Sequence, residues 1–246
     1  MKRFIFIMAF CLLFISCEKE VMTEDTSMVT ISFSQQIVQG NSMVRSGNSN
    51  DFLNIIASQT PSYINVTLKN LDLDKTFTCK SNETITIPIG NYEISAEKDS
   101  DKVSGSTSQG INYDIYVNPN LKCDKFNYNI TKETNITLNA YYNCYVIFAL
   151  VDECKKCTEV NNLYNATLNK INNYYVGYFK HSSLQINLTP YDNTEYFETI
   201  FNFSTMREDN KILVEYGKYY VLHPQKINKT NSLFDLNIIN MTEGNI

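Results

Sequence analysis

The chain has 246 residues, a formal net charge of −5, 43% hydrophobic residues, and only Gly 8 and Pro 5. The acidic balance, with no basic stripe anywhere, excludes a nucleic-acid-binding surface, and the low Gly and Pro content excludes collagen-like and low-complexity chains. Tyr 17 and Phe 14 against Trp 0 place the aromatic mass in residues that favour strands, so a globular, strand-rich product is expected.

The amino terminus sets the expected compartment. Lys2 and Arg3 precede an uncharged apolar run over residues 4–15, as in the charged and apolar regions of a secretory signal. The run is shorter than the roughly 20 apolar residues that span a bilayer, and Glu18, Lys19 and Glu20 follow it at once. Ser16-Cys17 at its end resembles the bacterial lipobox, although Phe14 stands where Leu is usual. Residues 1–16 are therefore expected to be a lipoprotein signal peptide, with Cys17 lipidated and the membrane a partner through that lipid. The charged residues after Cys17 also resemble the export tag of surface-exposed lipoproteins of the Bacteroidetes, which implies an outer-membrane, surface-exposed location.

Residues 17–27 read as a tether. Period-two alternation then begins: Val29, Ile31 and Phe33 share one face, and Ile64, Val66 and Leu68 share another. Ile85 and Ile87 alternate up to Gly90-Asn91, and Tyr92, Ile94 and Ala96 alternate after it, so a hairpin is expected with Pro88 at a strand end. Residues 99–112 read as a loop, and residues 113–117 as a strand. Phe126, Tyr128 and Ile130, then Ile136, Leu138 and Ala140, predict a second hairpin. Residues 145–151 are apolar throughout, as expected of a strand buried on both faces.

A domain boundary is placed near residue 142, giving two units, residues 28–142 and 143–246. In the second, strands are expected at 174–179, 184–188, 197–203, 212–216, 218–222 and 234–239. Val160, Leu163, Tyr164, Thr167, Leu168 and Ile171 fit a helical stripe, but Asn161, Asn162, Asn165 and Asn169 weaken it. Strand-turn-strand through Asn172-Asn173 is preferred. Short strands at this spacing predict two tandem all-β sandwiches.

The segment from Ile87 to Ala96 resembles a hairpin of the fimbrillin-like lipoproteins of Bacteroides and relatives. A Thr134-to-Leu138 strand and an apolar strand from Cys144 to Val151 follow, as in that family, with aromatic strands at Tyr175 to Phe179 and Lys218 to Leu222. The resemblance runs loosely over most of residues 28–240. It implies transthyretin-like sandwiches and a role as a fimbria-like structural or adhesion subunit. In assembling members, cleavage after an arginine releases an amino-terminal strand, and a neighbouring subunit fills the groove. Arg45 is the candidate for that processing.

Past Cys17 the cysteines are Cys79, Cys123, Cys144, Cys154 and Cys157, an odd set. In an oxidising compartment Cys79 with Cys123 is the expected bridge, with a second among the other three, Cys154 and Cys157 included. Cys154 and Cys157 have the spacing of a metal knuckle, but His181 and His223 are isolated and supply no ligand set, so no metal is expected. No nucleophile elbow, phosphate loop or metalloprotease helix occurs, so neither an enzyme nor a cofactor is expected. The alternative to a fimbria-like subunit is a lipid-tethered module whose Tyr-rich loops bind a glycan or a host protein.

Overall fold

A computed structural model describes residues 27–37, 49–161, 163–192, 196–226 and 241–246. Along the first half run β1 (Met28–Ile37), α1 (Ser49–Gln59), β2 (Asn65–Asn70), β3 (Lys75–Lys80), β4 (Thr84–Pro88) and β5 (Gly90–Lys98). They are followed by β6 (Lys102–Ser106), β7 (Asn112–Tyr116), β8 (Leu121–Ile130) and β9 (Thr134–Tyr142). The second half has β10 (Tyr145–Leu150), β11 (Cys154–Val160), β12 (Asn165–Thr167), β13 (Asn169–Ile171), β14 (Tyr174–Phe179) and β15 (Ser183–Pro190). β16 (Tyr196–Phe197), β17 (Thr199–Ser204), β18 (Ile212–Leu213), β19 (Lys218–Leu222), β20 (Gln225–Lys226) and β21 (Met241–Asn245) complete it. The expected strand at 234–239 lies outside the described residues.

The first seven long strands run in the order β3-β2-β5-β8-β9-β1-β4. β8 and β9 pair only at Leu121↔Tyr142 and Lys122↔Tyr141, so the ribbon folds over there. Its two parts face each other across one core, with Ile31, Ile136 and Leu138 on one side and Leu68, Tyr92 and Ile94 on the other. This geometry corrects both expected hairpins. β4 pairs with β1 while β5 pairs with β2 and β8, so the Ile89-Gly90 step carries the chain from one sheet to the other. Gly90 has φ 152°, a conformation that residues with side chains rarely adopt, and a Cβ on it would also meet the Asp72 carboxylate at 2.9 Å; the backbone angle at this crossing, not a two-residue turn, favours glycine. Likewise β8 and β9 meet only at the ends far from their connection: Ile130 pairs with Gly90 of β5 and Thr134 with Ile31 of β1, so residues 131–133 carry the chain across the sandwich. Alternation identifies a strand and its buried face, but both sheets of a sandwich offer the same buried face to it.

The second half has a sheet β13-β14-β10-β19-β21 and a sheet β12-β11-β15-β17-β18. The expected double burial of residues 145–151 is seen in β10, whose Val146 and Phe148 enter the first core while Tyr145, Ile147 and Ala149 enter a second. Tyr219 and Val221 of β19 join the first core, and Tyr220 and Leu222 the second. Asn172 turns the chain between β13 and β14 with φ 52°, in line with the strand-turn-strand preference.

Beyond short or unassigned strands such as β3, β11 and β21, the β6 half of an arm and a helix are absent from the sequence expectations. Residues 99–112 contain half of a paired β6–β7 arm, with Gly110 at its tip at φ 79°. α1 places Phe52, Ile55 and Ile56 inward at i, i+3 and i+4, and Asp51 in its first turn suits the helix N-terminus. It stops before Pro61, where Thr60 Oγ1 donates to the Ile56 carbonyl at 2.8 Å. No helix among the described residues is long and apolar enough to cross a membrane.

Candidate functional site

Cys17 and Arg45 lie outside the described residues. The expected bridges are not formed: Cys79, Cys123, Cys144, Cys154 and Cys157 are all free thiols. Cys79, Val66, Ala96 and Cys123 stand in one register row across β3, β2, β5 and β8. Three strand spacings put Cys79 about 14 Å from Cys123, against the roughly 7 Å between Cα atoms that a bridge tolerates. Cys154 and Cys157 are three residues apart on one strand, about 10 Å, and a register irregularity after Cys154 turns both inward. Burial pushes their thiols up, Cys154 to about 12, which makes poor metal ligands of them. His223 Nδ1 lies 2.8 Å from Glu153 Oε2, and no group of metal-ligating residues occurs among the described residues.

Two features can carry function. The first is the seat of β1. This strand runs parallel to β9 over Ile31↔Thr134 to Ile37↔Ala140, and antiparallel to β4 over Met28↔Pro88 to Ser32↔Thr84. Ile31 and Phe33 fill the core beneath it, each burial contributing about 1.5–3 kcal/mol. Thr30 and Ser34 hydroxyls meet Thr86 at 3.3 Å and Thr137 at 3.2 Å on the outer face. β1 is the first described element, and residues 38–48, with Arg45, connect it to α1. Without β1, both β9 and β4 would present unpaired backbone beside an apolar trough.

The second is a cleft of about 340 Å³ at one end of the second sandwich, lined among others by Glu159, Tyr164, His181, Ser183, Gln185 and Asn202. β11 pairs Glu159 with Ile186 of β15 and Ala166 of β12 and places it, buried, among the residues that line the cleft. A tight turn, Asn161 N–H to the Tyr164 carbonyl at 2.8 Å, swings the Tyr164 hydroxyl to 3.3 Å from Glu159 Oε1. Burial raises the Glu159 carboxyl above its usual range, opposed by that hydrogen bond.

The β6–β7 arm packs against two of the lining residues, Tyr164 and His181. Tyr113 stacks on Tyr164 with ring centres 5.1 Å apart, and Tyr116 lies 5.9 Å from His181. Gly105 opposes Tyr113, and a Cβ there would fall 2.4 Å from its ring, so only glycine lets the tyrosine lie flat across the arm. Burial, then the charge of Lys102, lowers the His181 pKa, and Tyr145 donates to its carbonyl at 3.2 Å. Among the other lining residues Gln185 Nε2 donates to Asn202 Oδ1 at 2.8 Å, and Lys211 Nζ to Ser183 Oγ at 3.3 Å. Sequence reasoning missed this site. Its one signal is Glu159, a charge at a strand position in phase with buried Cys157.

No family model matches the chain, and no curated protein matches it. Among solved structures, the tip fimbrial protein Mfa3 of Porphyromonas gingivalis is similar at 8% identity and TM-score 0.40, over 88% of this chain and 98% of that one. A candidate cell adhesion protein of Bacteroides eggerthii is similar at 8% identity and TM-score 0.40, over 89% and 96%. A candidate polysaccharide-binding protein of Bacteroides thetaiotaomicron is similar at 9% identity and TM-score 0.37, over 83% and 99%. At scores of this size, the functional reading rests on the chain's own residues.

Proposed function

We propose that the protein is a non-catalytic subunit of the bacterial cell surface, held to the outer membrane by a lipid on Cys17, that acts in adhesion or fimbria-like assembly through exchange of β1. The observation that carries the reading is the placement of β1: the first strand among the described residues, parallel to β9, seated between β9 and β4 and followed by the segment with Arg45. Loss of β1 frees an edge of β9 and strips β4 of its one pairing among the described strands, and the trough between them suits the alternating side chains of an incoming strand.

The test is cleavage by an arginine-specific protease. Beyond residue 16 the arginines are Arg45 and Arg207, so an Arg207→Lys chain is cut at Arg45 alone. The cleaved chain is expected to lose β1 and form oligomers in light scattering, while an Arg45→Ala companion stays intact and monomeric. Complete cleavage with a strictly monomeric product would refute strand exchange. The anchor is tested separately by labelling with a palmitate analogue, where Cys17→Ala is expected to remove the label.

A further inference from the structure

A carboxylate taken out of water is stable only where its charge is met by donors or a cation. Glu159 is 5% exposed, and among the described residues its side chain meets one donor, the Tyr164 hydroxyl at a long 3.3 Å, and no cation at salt-bridge distance. Lys211, which also lines the cleft, is neutralised by Glu208 at 2.7 Å and donates to Ser183 Oγ at 3.3 Å, and Lys102 lies 3.4 Å from Asp114. The floor of the cleft therefore holds a buried carboxyl group that, among the described residues, has one donor and no cation at salt-bridge distance, so a bound cation would stabilise its ionised form.

The walls add a second requirement. Ser183, Gln185, Asn202 and Asn161 line the cleft with hydroxyl and amide groups, each able to exchange hydrogen bonds with hydroxyls. A plain alkylamine would answer the carboxylate but displace water from those amides without replacing its hydrogen bonds, which costs affinity. The volume, near the lower end of the roughly 300–1,000 Å³ usual for small-molecule sites, suits one sugar ring. We propose that the cleft binds an unacetylated amino sugar, with its ammonium against Glu159 and its ring hydroxyls against Ser183, Gln185 and Asn202. A terminal unit of a larger glycan can enter in the same way, since the cleft opens to solvent. This site shares no residue with the β1 seat, so failure of one leaves the other standing.

Titration of the full chain with glucosamine, N-acetylglucosamine, glucose and butylamine, followed by chemical-shift changes, tests it. Saturable glucosamine binding in the millimolar range is expected, about 4 kcal/mol of affinity, with the other three at least about tenfold weaker. Glu159→Gln, which keeps the acceptor for Tyr164, is expected to abolish binding with an unchanged near-ultraviolet spectrum. Asn202→Ala, at an exposed position, is expected to weaken it about threefold, less than one direct hydrogen bond. Equal binding of N-acetylglucosamine or of butylamine would overturn the proposal, as would glucosamine binding unaffected by Glu159→Gln, or none at all.

Discussion

At the scale of single residues, Glu159 and the five thiols are groups whose charge the fold disfavours. The folded state holds the Glu159 proton more tightly than the unfolded chain does, because burial penalises the anion. Its charge therefore costs stability at all pH values above the ordinary glutamate value of about 4.5, and the cost grows as pH rises toward the raised folded value. Glu159→Gln is expected to raise Tm at pH 7 and to leave it unchanged at pH 4, measured by circular dichroism. A lower Tm at pH 7 would mean that the carboxylate is structural. The thiols behave in parallel. Burial, then the charge of Glu83, pushes Cys79 up to about 11, and burial pushes Cys144 to about 12, so neither is ionised at pH 8. Cys79 alone of the five is partly exposed. Iodoacetamide mapping of the native chain should find Cys79 alkylated first and Cys144 and Cys157 last, and reductant should leave Tm unchanged. A Cys79–Cys123 cross-link in the peptide map would contradict the register.

At the scale of elements, α1 couples the two halves. Phe52 contacts Phe148 of β10 at 4.9 Å, Tyr174 of β14 at 5.1 Å and Tyr219 of β19 at 5.3 Å between ring centres, and Thr60 ties the helix end to the Tyr142 hydroxyl at 3.0 Å. Phe52→Ala is expected to cost about 3–5 kcal/mol, lowering Tm by roughly 6–20 °C for a chain of this length. Asp51→Ala, exposed in the same helix, should cost under about 1 kcal/mol. Calorimetry separates them, and equal effects would show that Phe52 is not a central contact. The sequence carried the strands well because each buried face writes an alternation into its own residues, as in β2 and β15. Pairing was hidden, since the partner of Ile85 and Ile87 is the distant β1 rather than the adjacent β5. The β6–β7 arm was hidden for another reason: Lys102, Ser104 and Ser106 carry no apolar face, and the arm is fixed by its Tyr113 and Tyr116 contacts with the second half.

At the scale of the whole molecule, the apolar run of residues 145–151 announced a strand buried twice, but not what covers each side. The first sandwich and α1 cover one face of the β10 sheet, and the β11–β15–β17 sheet covers the other. The two halves therefore share a layer, and Lys180 adds ion pairs across them to Asp99 at 3.1 Å and Glu97 at 3.6 Å. Separating the halves would expose Phe148, Val176, Tyr178, Tyr219 and Val221 to water, at about 1.5–3 kcal/mol for each large side chain. That total is comparable with the whole stability of a typical domain, about 5–15 kcal/mol. Neither half can then unfold while the other keeps its packing, and the chain should melt in one transition, with the calorimetric and van't Hoff enthalpies equal. Residues 28–142 expressed alone should bind hydrophobic dyes and lack a cooperative melt. Two resolved transitions, or a cooperatively folded first half, would show that the layer is shared in position but not in energy.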